Sequence, residues 1–479
     1  MSLPKTEQFL RRRYTVLATA LVVTAVFGMA AYAKAGTPRQ QPAKAAIVPA
    51  AAKPQMLAGV PVLDRDSEQF LTQTAGITRA PECFPIHIRD QGRIGILYLY
   101  CSNDAYNADA EPVDVSENFS VPQGIARRYN FWRRIYSLWG KDQYVMHLSE
   151  YPEVILEAFD VSRAGENVGA IQREIMVKRV AKGQREQYKK LFLAMHKNRN
   201  NEAAFTPAMQ RLARVMAHIP SGDKYLIAAR TLRLQRGQRD FIASGLMTAP
   251  KYLPAIEKEF EEQGIPVEIS RLAFIESSFN LSAHSKVGAS GVYQIMPATG
   301  RQYLKMHSGV DERNDPIKAS RAAAKLLKLN YSLTGSWPLA VTAYNHGVGG
   351  IRKATRAVGT NDLTQLINRY YGSAFGFASK NFFAGYLGLL ATLKDADKIF
   401  PEVPKVMPLQ YENVRLAQAT SLTALKRKYT LTSAEIAEYN PDISRGLIRS
   451  SGYLPRGYVL KVPARSEAQV LNASSPPNS

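Results

Sequence analysis

Glu276 stands four residues after Leu272 and seven after Ile269, in a stretch whose apolar residues Ile269, Leu272, Ala273 and Ile275 recur at helical spacing. Pro266 suits the first position of such a helix. The 3.6-residue repeat turns the carboxylate toward the buried stripe rather than the solvated one. A carboxyl group deprived of water disfavours its charged form, so its pKa should climb toward neutrality, as a general acid requires. A lone Glu in such a position is more often a buried, paired structural group. Here, however, the polar residues Ser277, Ser278 and Asn280 follow at once. Gly288 and Gly291 come next and let backbone approach a ligand closely, and Pro297 and Ala298 open another helix. Acid, glycine loop and helix start within one span have the character of an active site.

The residues also carry a family resemblance. Glu276-Ser277-Ser278-Phe279-Asn280 and the run Ser285-Lys286-Val287-Gly288-Ala289-Ser290-Gly291-Val292-Tyr293-Gln294-Ile295-Met296-Pro297 resemble the first two motifs of the family 1 lytic transglycosylases (SLT domain). Ala343-Tyr344-Asn345-His346-Gly347 resembles the third, at the usual distance. Three motifs in order are far more specific than one. Over roughly residues 235 to 400 the chain is most similar to the membrane-bound lytic murein transglycosylase D group. The resemblance implies a goose-type-lysozyme-like helical domain with Glu276 catalytic. Ser285, Gln294 and Met296 would line the sugar subsite, Tyr344 and Asn345 would support acid and substrate, and Gly288 and Gly291 would shape the loop. Where the family commonly has a late tyrosine this chain has Phe382, so a hydroxyl near the acid must come from Tyr344 or Tyr386.

Most glycosidases use two carboxylates. Asp311, Glu312 and Asp315 are the next acidic residues, but they sit in a turn where capping accounts for them better. A single carboxylate points to substrate-assisted chemistry, as the resemblance also implies: cleavage between N-acetylmuramic acid and N-acetylglucosamine with formation of a 1,6-anhydro sugar. The rivals are a lysozyme-type hydrolase and a noncatalytic peptidoglycan-binding scaffold. No metal or other cofactor is implied, since Asp311 to Asp315 lacks the spacing and glycine of a calcium loop.

The elements that must position these residues follow from the rest of the 479-residue chain, long enough for two or three cores. Lys5 and Arg11-Arg12-Arg13 precede an apolar run from Tyr14 to Ala33 that ends in small residues. This is an export signal, cleaved near Ala33 or Ala35, or retained as a membrane anchor through residues 14–33. The location expected is the bacterial periplasm or cell envelope. The net charge of +22 then suits peptidoglycan carboxylates and anionic lipids rather than nucleic acid. The protein is expected to act as a monomer. The two cysteines, Cys83 and Cys101, flank two short apolar runs around Gly92. A hairpin there would bring the sulfurs together as a disulfide; two buried thiols are the alternative.

The fold expected is mainly α. Residues 1–35 read as signal or anchor, 36–61 as a disordered linker, 62–110 as a small Cys-containing β segment and 111–239 as a helical region. In the latter, Tyr129, Trp132, Tyr136 and Trp139 recur at helical steps and read as core. Residues 240–402 form the lysozyme-like catalytic domain, with Glu257, Glu259, Glu261 and Glu262 as a solvated helix face. Residues 404–465 read as a small α+β LysM-like module with a capping box at Thr432 and Glu435, and 466–479 as a disordered tail.

Overall fold

The computed structural model describes residues 83–90, 94–101, 114–160, 170–307 and 309–464. The proposed signal or anchor, the linker at 36–61 and the tail at 466–479 lie outside the described residues. Among those described, no helix is long and apolar enough to cross a membrane. The chain divides into two compact units.

The first unit holds residues 120–241 and the strands before them. Strands β1 (Cys83–Asp90) and β2 (Ile94–Cys101) form the expected antiparallel hairpin, in a register that sets Cys83 opposite Cys101. The side chains of both cysteines lie outside the described residues. The hairpin is not a free-standing segment. It continues into a five-stranded antiparallel sheet of order β1-β2-β4-β3-β5, whose other members are β3 (Gln143–Leu148), β4 (Ile155–Asp160) and β5 (Leu232–Arg236). Residues 111–239, expected as a helical region, therefore carry three strands besides their helices.

For β3 the cause of this difference is burial on both faces. Helix α1 (Ala126–Ser137) covers one side of β3, with the Phe131 ring 4.6 Å from that of His147. On the other side Met146 and Leu148 share a core with Phe192 and Met195 of α2 (Ala170–Lys197). A strand buried on both faces has no alternation to read. The aromatic stripe of α1 behaves as expected: Tyr129, Trp132, Tyr136 and the following Trp139 are all buried. Helices α3 (Pro207–Val215) and α4 (Lys224–Thr231) complete that core.

The second unit holds residues 242–464 with 116–119. Its helices include α5 (Leu253–Glu262), α6 (Leu272–Ser277), α7 (Pro297–Tyr303), α8 (Pro316–Thr334), α9 (Trp337–His346), α10 (Val348–Val358), α11 (Leu363–Arg369) and α12 (Phe377–Lys394). Helix α12 is the axis, buried from Ser379 to Thr392. Helix α8 begins and ends where its sequence says: Asp315 caps its first turn by accepting from the Ile317 and Lys318 amides, and Gly335 closes it at φ 77°. The carboxylates of α5 are not all solvated. Glu259 is buried and receives Nε of Arg321 at 2.7 Å, and Glu257 pairs with Arg271.

The C-terminal part follows the expected order of strand, two helices and strand, namely β8 (Tyr411–Arg415), α13 (Leu422–Tyr429), α14 (Ser433–Tyr439) and β11 (Val459–Pro463). The capping box of Thr432 and Glu435 is present. Two short strands, β9 (Thr420–Ser421) and β10 (Tyr453–Leu454), pair beside the β8–β11 ladder, and a short helix α15 (Arg445–Arg449) was not anticipated. The apolar core here, built on Leu422, Leu425, Ile436, Ile443 and Leu460, is completed by Val310, which belongs to the two-residue hairpin β6–β7 (Met306–His307, Val310–Asp311) between α7 and α8.

Candidate active site

The acid sits near the end of a short helical segment whose last turn before it, Leu272 to Ile275, is apolar. A 3-10 turn from Val267 to Arg271, entered through Pro266, runs into α6, and Ile269, Leu272, Ala273, Phe274 and Ile275 are all buried. Glu276 follows on the same buried surface with 8% of its area exposed. Burial alone raises its carboxyl from the ordinary 4.5 to about 8. Among the described residues no hydrogen bond or ion pair holds that carboxyl. The group is therefore protonated at neutral pH and keeps its proton available.

Directly beyond it the chain reverses through two residues with left-handed backbone, Ser278 (φ 53°) and Phe279 (φ 57°). A bulky residue in this region is strained and persists only when its surroundings hold it. Phe279 is held: it is buried, 5.4 Å from the ring of Phe274 and stacked on Tyr252. Ser277 ties the acid's helix to the glycine loop, its Oγ lying 3.1 Å from the Ala273 carbonyl and 2.9 Å from that of Val292.

The loop from Ser285 to Met296 is braced largely by its own polar groups. Ser285 Oγ accepts from the Ala289 amide at 2.8 Å. Gln294, itself at φ 47°, donates both hydrogens of its amide to the carbonyls of Ala283 (3.1 Å) and Gly291 (2.8 Å), and its side-chain oxygen, an acceptor, has no partner among the described residues. Met296 is half-buried where α7 begins. Ser290 is buried, with Oγ donating to Asn314 at 2.6 Å and accepting from Nδ1 of His284 at 2.8 Å.

Gly288 and Gly291 both have positive φ, but they differ in tolerance. A Cβ on Gly288 would meet the Pro297 ring at 3.3 Å, whereas one on Gly291 would lie 1.8 Å from the carbonyl oxygen of Arg313. Gly291→Ala is expected to cost roughly 2–4 kcal/mol and Gly288→Ala about 1–2 kcal/mol, the first from backbone collision added to left-handed strain. Urea unfolding measures both; equal costs would mean that the collision is relieved elsewhere.

Two tyrosines join the acid's helix, the loop and α9. Tyr293 donates to the Ser270 carbonyl at 2.9 Å, and Tyr344 donates to the Tyr293 carbonyl at 2.8 Å. Burial, then Glu276, then Tyr293 push the Tyr344 phenol well above its ordinary value, so Tyr344 lies within electrostatic reach of the acid. Tyr386 does not share that neighbourhood; the charges it feels are Glu268 and Arg271, and it packs edge-on against Phe119. Of the two candidates to replace the hydroxyl absent at Phe382, Tyr344 is the one beside Glu276, although its proton is committed to the loop. Asn345, next along α9, has a buried side-chain oxygen without a partner among the described residues.

The next three carboxylates in the sequence are all engaged. Asp311 accepts from the Arg313 amide and side chain, Glu312 from the Lys305 amide at 2.7 Å, and Asp315 from the first turn of α8. Sequence reasoning missed Arg313, Tyr293 and Ser290 as parts of the site. Tyr293 and Ser290 lay inside the second motif, whereas nothing local marks Arg313 as a partner of the loop, whose carbonyls it meets 18 and 25 residues away.

Residues 254–367 match the family model of the transglycosylase SLT domain. The membrane-bound lytic murein transglycosylase D of Escherichia coli K12 is 24% identical over 217 residues, which are 45% of this chain and 47% of that protein. A putative tributyltin chloride resistance protein of Alteromonas sp. strain M-1 is 35% identical over 108 residues, 22% of this chain and 52% of its own. The chain thus spans about half the length of the curated relatives it matches.

Proposed function

We propose that this chain, whose residues 254–367 constitute a transglycosylase SLT domain, is a peptidoglycan lytic transglycosylase of the bacterial envelope. The observation that carries the reading is Glu276: one buried carboxyl, unpaired among the described residues and protonated at neutral pH, beside a glycine loop whose Gln294 side-chain oxygen has no partner among the described residues. Glu276 donates its proton to the oxygen bridging N-acetylmuramic acid and N-acetylglucosamine. As that bond breaks, the muramyl N-acetyl oxygen closes on the anomeric carbon. The carboxylate then takes the proton of the same sugar's 6-hydroxyl, whose oxygen displaces the acetyl oxygen and forms the 1,6-anhydro ring. The proton returns to Glu276 and no water is consumed.

The side-chain oxygens of Gln294 and Asn345 suit hydroxyl and acetamido N–H donors, and Met296 offers an apolar contact to the sugar. Engagement of Asp311, Glu312 and Asp315 elsewhere supports the one-carboxylate route over a hydrolase. The excess of basic residues favours stem-peptide carboxylates as neighbours, with the C-terminal module read as a LysM-like contact to the glycan.

Mass spectrometry of fragments released from purified peptidoglycan tests the reaction. Anhydro ends, one water lighter than reducing ends, are expected; reducing ends would make the protein a hydrolase. The pH profile separates the two independently. An acid that must be protonated gives a rate level on its acidic side that falls about tenfold per pH unit above about 8. A bell with a second, acidic limb would betray a separate base.

A further inference from the structure

The glycine loop rests on a residue outside all three motifs. Arg313, buried in the turn before α8, meets the loop at three points and α7 at a fourth. Its Nη1 donates to the carbonyls of Gly288 (2.8 Å) and Ile295 (3.1 Å), one at each end of the loop's tight part. Its own carbonyl oxygen fills the space against Gly291 that a Cβ would need, and its aliphatic stem lies against Gly300 of α7. The other side of the guanidinium is fixed by Asp311, through Nε (3.0 Å) and Nη2 (2.7 Å), a two-pronged contact that sets the plane of the fork.

Asp311 ends the hairpin β6–β7, and the far side of that hairpin is held by the C-terminal module. The Asp311 amide donates to the Asp442 carbonyl at 2.9 Å, the Ser444 amide donates to the Gly309 carbonyl at 2.8 Å, and Val310 bridges to Ile443 inside the module's core. The attachment is reinforced by buried charge: Lys318 donates to Asp442 at 2.7 Å, and Lys461 of β11 pairs with Asp315. One continuous path of short polar and apolar contacts therefore runs from the module, through the hairpin and Arg313, to the loop beside Glu276.

We infer that Arg313 is a positioning residue for the catalytic loop, and that the C-terminal module holds it in place through the hairpin, so the module tunes cleavage as well as any glycan contact. The catalytic half of this inference rests on the lytic reading. The mechanical half does not.

The test uses the full chain and the variants Arg313→Gln, Arg313→Lys and Ile443→Ala, with soluble uncross-linked glycan strands as substrate. Arg313→Gln is expected to lower kcat by about 30- to 100-fold per folded molecule, the scale of a 1 Å misplacement, with KM changed less than about threefold. Arg313→Lys should recover part of this loss, because an ammonium can reach one carbonyl but cannot hold the fork. Hydrogen exchange at residues 284–296 should accelerate in both Arg313→Gln and Ile443→Ala. A purely structural Arg313 would lower the melting temperature yet leave kcat per folded molecule untouched, and would overturn the positioning role. Faster exchange in Ile443→Ala confined to residues 405–464 would overturn the coupling to the module. Were the native protein to release no anhydro products, the lytic reading would fail while the exchange data still decided the coupling.

Discussion

Glu276→Gln is expected to lower the release of anhydro-ended fragments by about 10²–10⁴-fold, the usual contribution of a positioned general acid, while the protein remains folded. The same substitution carries a second expectation with a definite sign. Burial lifts the Glu276 carboxyl from 4.5 to about 8, so between those values the folded protein keeps a proton that the unfolded chain has released. The folded state binds more protons, and stability falls as pH rises through that window. Glutamine has no such penalty. At pH 7 the variant should therefore be more stable than the native protein by roughly 3 kcal/mol, whereas at pH 4 the two should unfold alike. Urea unfolding at both pH values is the measurement. An inactive variant that is also less stable at pH 7 would mean that Glu276 is a paired structural group. A variant inactive but more stable marks a residue kept for chemistry at a cost to the fold.

Asp315→Ala should be a severely damaging change in a residue outside the three motifs. The carboxyl has no exposed surface. Burial alone would push its pKa up, but Lys461 and Lys318 outweigh that and hold it below its ordinary 3.8. Alanine takes the buried ion-pair partner from Lys461, leaves Lys318 to Asp442, and removes the cap of α8. Breaking a buried pair typically costs about 3–5 kcal/mol and losing a cap about 1 kcal/mol more. The loss should appear as a lower urea midpoint at pH 7. Because the folded pKa is depressed, the stabilisation is complete above the unfolded value of 3.8 and disappears as pH falls through the lower, folded one. The native protein and the variant should thus converge in strong acid. A cost below about 1 kcal/mol at pH 7 would class the contact with surface ion pairs.

What the sequence disclosed about this molecule was local. The apolar stripe under Glu276, the cap at Asp315, the stop at Gly335 and the capping box at Thr432 each depend on residues within one or two turns, and each is where its spacing puts it. The left-handed pair Ser278 and Phe279 could not be anticipated, because tertiary packing rather than residue type imposes it. Arg313 and the Asp315–Lys461 pair were also out of reach, the latter joining positions 146 residues apart. The β3 strand was hidden for a different reason: Val145, Met146, His147 and Leu148 are all buried, so no solvent-facing residue marks the two-residue period.

The way Val310 is shared has a consequence for how such a chain can change over generations. Modules of this size are often gained, lost or duplicated as cassettes, which requires a seam that few contacts cross. Here the seam near residue 404 is only covalent, since the module takes one of its core residues from the hairpin before α8 and buries its charges against α8 itself. Trimming the gene at that seam would expose Val310 and leave Lys318 and Asp315 facing water. An unrelated module spliced on would find neither socket nor counter-charge. Separating the two halves would therefore cost each of them buried contacts at these few positions.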